Sequence, residues 1–140
     1  MEIVLKSDIT YAEKLHLSLI RERPGLFLGS PELSHLEHYI HGFNSAVTLL
    51  GLDNSETQKH VMLPADICSY ITGKYTGEGC TAKSCFDLIL EAERDEEKAF
   101  FRFFELLEEY LSVNGFEPMP PCDEWGARFE ELKQLMRIDK

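Results

Sequence analysis

The run Glu96-Glu97-Lys98-Ala99-Phe100-Phe101-Arg102-Phe103-Phe104-Glu105-Leu106-Leu107-Glu108-Glu109-Tyr110-Leu111-Ser112-Val113 is helical in its periodicity along its whole length. Phe100, Phe103, Phe104, Leu107 and Leu111 recur at spacings of three and four, which places them on one face of an α-helix. Phe101, Leu106 and Tyr110 widen that face, so the spacing predicts a central helix buried on more than one side. Asp95 offers a carboxylate to the free N–H groups of the first turn. Asn114-Gly115 ends the element.

The same period runs outward in both directions. Upstream, Thr10 caps an expected helix over 11–21, with Tyr11, Leu15 and Leu19 on its apolar stripe. Arg23 precedes a proline, which disfavours helical backbone and closes that element. Pro24 to Gly29 is expected to be a tight connector with apolar side chains inward and two glycines at special backbone positions. Ser30-Pro31-Glu32 reads as the start of a helix of about twenty residues, stopped near Gly51 and carrying Leu33, Leu36, Ile40, Phe43, Val47 and Leu50. Leu63-Pro64-Ala65-Asp66 opens a shorter helix closed by Gly73, and Thr81 or Ser84 opens another through Phe86, Ile89 and Leu90. Downstream, Pro118 to Pro121 is a stiff linker, and Asp123 caps a last helix with Trp125, Phe129, Leu132 and Met136. The fold class is therefore all-α: a single domain over 1–140, built as a bundle or orthogonal array of five to six helices.

Composition agrees with a globular chain, with 44% hydrophobic and 28% charged residues in 140. No apolar run approaches the roughly 18 residues of a membrane span. The opening Met1-Glu2-Ile3-Val4-Leu5 lacks the basic start and apolar core of a secretory signal, so a cytoplasmic location is expected. In that reducing setting Cys68, Cys80, Cys85 and Cys122 are read as small apolar residues rather than as disulfides or zinc ligands. The net charge of -11 is unevenly placed, with fourteen acids and seven bases in residues 91–140. Such a field repels nucleic acid, whose binding rests on phosphate neutralisation. It attracts a basic protein and speeds its arrival. Acidity that serves only solubility is the plainer alternative.

Candidate chemistry is sparse. His35, His38 and His41 stand three apart on one expected helix and so diverge by about 60° per step. They are read as a solvated face, not a metal site. Glu105, Glu108 and Glu109 are close on one helix but sit in a general excess of acid, which favours a solvated face over a catalytic pair. There is no Gly-x-Ser-x-Gly elbow and no glycine-rich phosphate loop with its Lys-Ser/Thr sequel. No enzymatic role, cofactor or metal is expected.

The most specific segment is Ile20-Arg21-Glu22-Arg23-Pro24-Gly25-Leu26-Phe27-Leu28-Gly29. It resembles the Arg-Pro-Gly-Met-Tyr-Ile-Gly segment of type II topoisomerase ATPase domains. That family requires asparagine where His41 follows Glu37, and a later Asp-x-Gly-x-Gly that this chain lacks. With Leu33, Leu36, Ile40, Gly42-Phe43 and Ala46, the segment more closely resembles small bacterial proteins bearing Arg-Pro-x-Met-Tyr-Leu-Gly between two helices. Such proteins accompany polymorphic or contact-dependent toxins and are taken for their immunity proteins. Here Leu26 and Phe27 replace the usual Met and Tyr, and the match covers residues 11–50. Arg23, Pro24, Gly25, Phe27 and Gly29 are expected to be structural, with Arg23 as the polar anchor.

The resemblance and the acidic C-terminal half imply an immunity protein that neutralises a toxin's C-terminal domain, such as a nuclease with a basic cleft. The expected contacts are Glu93, Asp95, Glu96, Glu97, Glu105, Glu108 and Glu109, with Trp125 and Tyr75 as aromatic anchors. An acidic adaptor, or an enzyme using Glu105 and Glu109 on a small cationic substrate, is the alternative.

Overall fold

Most of the helices begin where the sequence supplies an acceptor for their first unpaired N–H groups. A computed structural model describes residues 8–51, 62–77, 82–121 and 123. Among these residues there are six helices and no strand: α1 (Tyr11–Glu22), α2 (Pro24–Leu28), α3 (Leu33–Leu49), α4 (Ile67–Thr76), α5 (Cys85–Glu93) and α6 (Glu96–Val113). The chain is all-α, as its periodicity predicts. The expected last helix after Asp123 lies outside the described residues.

Three of the starts use side-chain caps at expected positions. Thr10 accepts from the Glu13 N–H at 3.3 Å, Ser84 from Asp87 at 3.1 Å and Asp95 from Lys98 at 2.8 Å. α3 differs. Ser30 does not cap it; its hydroxyl goes to the Glu32 carboxylate, and α3 begins at Leu33 without a local side-chain cap. The acceptor comes from α6 instead. Glu96 accepts from the Ser34 N–H at 2.9 Å and from its hydroxyl at 2.6 Å. A carboxylate at a helix N-terminus satisfies an orphan donor and complements the dipole, even when another helix supplies it.

Two further departures concern glycines. Pro24–Leu28 is a short helix rather than a plain connector, with proline in its first turn and Gly29 at φ 85° just after it. α4 continues through Gly73 to Thr76 and ends at Gly77, φ 78°, whose N–H bonds the Gly73 carbonyl. A helix tolerates an interior glycine at a cost of about 1 kcal/mol, and the left-handed cap is at the second glycine.

α6 is the central element. It packs on α3, α4 and α5, and its Phe100, Phe103, Phe104, Leu107 and Leu111 are fully or almost fully buried. Phe86 of α5 stacks on Phe103 at 5.2 Å between centroids, and Tyr70 of α4 meets Tyr110 edge-on at 5.5 Å. One continuous core joins these residues to Leu17 and Ile20 of α1, Leu33, Leu36 and Ile40 of α3, and Ile67 and Ile71 of α4. The segment after α6 has no regular secondary structure and is pinned to α1: the buried Lys14 ammonium donates to the Glu117 carbonyl at 2.7 Å and Ser18 to the Pro120 carbonyl at 2.6 Å.

Cysteine chemistry departs from the sequence reading. Cys68, in the first turn of α4, is joined to Cys85, the first residue of α5, in a disulfide. Their Cα atoms lie 5.2 Å apart across a sequence separation of 17. That distance is ordinary for a disulfide. It arises because two helix starts pack together, which the spacing of the cysteines alone does not encode. Among the described residues no helix is long and apolar enough to cross a membrane.

Candidate functional site

α5 and α6 are joined by a turn of two residues. Arg94 takes the left-handed conformation, φ 59°, with its N–H on the Leu90 carbonyl, and Asp95 then caps α6. The turn brings the ends of the two helices together, so Glu93 and Glu97 stand at one corner of the molecule. Of the seven carboxylates expected to meet a partner, four lie at this corner and three lie beyond it on α6. A helix rises about 1.5 Å per residue, which puts Glu105 roughly 12 Å along the axis from Glu97.

At the corner the carboxylates differ in what they do. Asp95 is the α6 cap and Glu96 the α3 cap. Glu93 and Glu97 have no hydrogen bond or ion pair of their carboxylates among the described residues. Farther along, every one of the three glutamates meets a cation. Glu105 takes Arg102 at 3.0 Å, Glu108 takes Arg21 of α1 at 2.8 Å, and Glu109 takes Lys74 of α4 together with the Tyr70 hydroxyl.

These contacts frame an outward strip of α6. Steps of about 100° per residue place Glu97, Phe101, Glu105, Glu108 and Ser112 within one arc, and all five are exposed. Arg21 borders the strip on one side, lying over the Phe104 ring at 5.7 Å as well as against Glu108. Tyr70 and Lys74 border it on the other. In the middle stands Phe101, 43% exposed, its ring edge-on to the buried Phe100 at 5.0 Å. The expectation that Phe101 widens the buried face is therefore wrong. The sequence held the signal: Glu97, Glu105 and Glu108, at four before, four after and seven after, surround Phe101 on a helix and mark its side as outward. Of the two expected anchors, Tyr75 is half-buried and Trp125 lies outside the described residues.

Two groups on this surface have shifted titrations. Hydrogen bonds from Lys74 and Tyr70 hold the Glu109 carboxyl below its ordinary value. Burial and the same contact with Glu109 push the Tyr70 phenol up to about 12. The shift of Glu109 is opposite to the raised carboxyl of a general acid working at neutral pH.

The motif segment splits into an inner and an outer part. Phe27 reaches a half-buried cluster with His16, Tyr39 and Phe43, where His16 Nε2 and the Tyr39 hydroxyl share a hydrogen bond of 2.7 Å. Burial lowers the His16 pKa. Gly29 has the positive φ that favours glycine. Gly25 has neither a positive φ nor any atom within 4 Å of an added Cβ, contrary to expectation. Arg23 is exposed, and its guanidinium makes no hydrogen bond or ion pair among the described residues, so it anchors nothing there. Leu26, beside it, is 72% exposed. His35, His38 and His41 are all exposed, as expected. Among the described residues no group of three metal-ligating side chains converges.

No family model matches the chain, and no curated protein or solved structure matches it either.

Proposed function

We propose that this chain is an immunity-type protein that binds a basic toxin domain in the cytoplasm and blocks it, without catalysing a reaction. The observation that carries the reading is the outward strip of α6, an exposed Phe101 set among Glu97, Glu105 and Glu108. An aromatic ring on a rigid helix gives a partner a large apolar contact at little entropic cost. Carboxylates around it favour a cationic rim and raise the association rate. The resemblance of residues 11–50 to toxin-associated immunity proteins supplies the kind of partner.

The strip does not act as a uniform acidic face. Glu105, Glu108 and Glu109 are already matched by Arg102, Arg21 and Lys74, so a basic partner would have to displace those cations. Glu93 and Glu97 offer charge without that competition. The binding surface therefore centres on Phe101 and the α5–α6 corner.

Co-expression with any basic toxin-type C-terminal domain encoded beside this chain's gene, scored by cell survival, tests this. The wild-type chain should rescue growth, and Phe101→Ala combined with Glu97→Lys should lose rescue while remaining folded by circular dichroism. Full rescue by the folded double variant removes the strip from the mechanism. No rescue by the wild type removes the immunity reading.

A further inference from the structure

α4 is held on α5 and α6 by core packing, with Tyr70 and Tyr75 against the same core, and by a few polar contacts to α6. Ile67 and Ile71 enter the core, the Tyr70 ring meets Tyr110, and Tyr70 and Lys74 both reach Glu109. The disulfide to Cys85 is the one covalent link among them. The two cysteines differ in exposure. Cys85 is 1% exposed, whereas Cys68 is only partly buried. An attacking thiolate must reach a sulfur along the bond axis, so access decides which one is hit.

We propose that Cys68–Cys85 is a reversible thiol switch that sets how firmly α4 is docked on α5 and α6. A small thiol such as glutathione attacks Cys68 Sγ as its thiolate. A mixed disulfide forms on Cys68, and Cys85 leaves as a thiolate that takes up a proton. A second thiol then cleaves the mixed disulfide, freeing the Cys68 thiol and releasing the oxidised small thiol. Two small thiols are consumed and one small disulfide is produced; the reverse exchange closes the bond. In a reducing compartment, disulfides that form are commonly transient or redox-sensing, and the greater exposure of Cys68 fits that behaviour.

Opening the bond removes the crosslink between two helix starts and leaves α4 with its non-covalent contacts alone. The opening equilibrium of α4 then rises, while that of α6, buried on several sides, does not. The switch stands apart from the binding reading, because amide exchange in α4 reports it whether or not the α6 strip meets a partner.

The test uses the full chain equilibrated in glutathione buffers of graded oxidation, with differential alkylation and hydrogen exchange read by mass spectrometry. A Cys68–Cys85 crosslink should form and open reversibly across the series. Exchange of the Ile71–Thr76 amides should be faster in the reduced form by about tenfold or more, with Phe103–Leu111 unchanged. Cys68→Ser should match the reduced form in every buffer, which separates the switch from any effect of Cys80 or Cys122. Absence of the crosslink at every glutathione ratio overturns the proposal. So does a crosslink whose opening leaves α4 exchange unaltered.

Discussion

The carboxylates at the α5–α6 corner and those farther along α6 look alike in sequence but do different work. At the corner, Asp95 and Glu96 accept from backbone N–H groups at the starts of α6 and α3. Farther along, Glu105, Glu108 and Glu109 meet Arg102, Arg21 and Lys74. A carboxylate that caps a helix satisfies a donor the backbone cannot satisfy itself. One that pairs with an exposed cation replaces contacts with water that were nearly as good. Net charge counts both kinds equally, and so says little about how much charge a partner would meet.

The largest expected difference between the two groups is in stability. Asp95→Ala and Glu96→Ala should each lower the unfolding free energy by about 1 kcal/mol or more, since each removes a capping acceptor. Glu105→Ala and Glu108→Ala should each change it by no more than about 0.5 kcal/mol. Urea denaturation with unchanged slopes would measure all four. Equal losses in both groups would erase the distinction.

Association should rank the surface differently. If the proposed toxin-binding role holds, Glu93→Lys with Glu97→Lys should slow binding of the basic toxin domain by about tenfold at low ionic strength. Reversing Glu105 and Glu108 should slow it less, about threefold, because each already faces a cation. Stopped-flow rates across a salt series would show the ranking, and a larger effect from the downstream pair would invert it.

Much of this arrangement could be read from periodicity alone, because apolar spacing dictates which helices form and which side each buries. The caps Thr10, Ser84 and Asp95 were visible because a cap and its donor lie three residues apart in the chain. What stayed hidden depends on long separations. Glu96 caps Ser34 from 62 residues away, and Arg21 reaches Glu108 across 87. The disulfide is hidden for the same reason. Phe101 is a separate case: four phenylalanines within five positions suggest a wholly buried helix, and only the flanking glutamates betray the outward one.

The motif glycines offer a smaller contrast of the same form, since two residues alike in sequence have unlike backbones. Gly29→Ala should destabilise by about 1 kcal/mol, because alanine resists the positive φ found there. Gly25→Ala should be neutral or stabilising by up to about 1 kcal/mol, because the site is open and alanine narrows the unfolded ensemble. Thermal melts of the two variants check this. A large loss at Gly25 would show that the turn needs glycine for a reason its backbone does not reveal.

The subtlest effect lies where α4 borders the strip. Tyr70 is held protonated by burial and by Glu109, with its pKa near 12 against an ordinary 10.0. A phenol whose folded pKa is raised contributes stability in full below pH 10, and that contribution is lost as pH rises from 10 to about 12. The unfolded chain releases the proton first, so the sign is fixed. Glu109 has the opposite dependence: its lowered pKa contributes stability above its ordinary value of 4.5, lost as the pH falls through the folded value. The absorbance of wild type minus Tyr70→Phe, followed against pH, isolates the Tyr70 phenol. Its transition should lie near 12 and move toward 10 in Glu109→Gln, because the glutamine carries no charge to oppose the phenolate. A transition that stays near 12 in that variant would assign the shift to burial alone and leave Glu109 paired only with Lys74.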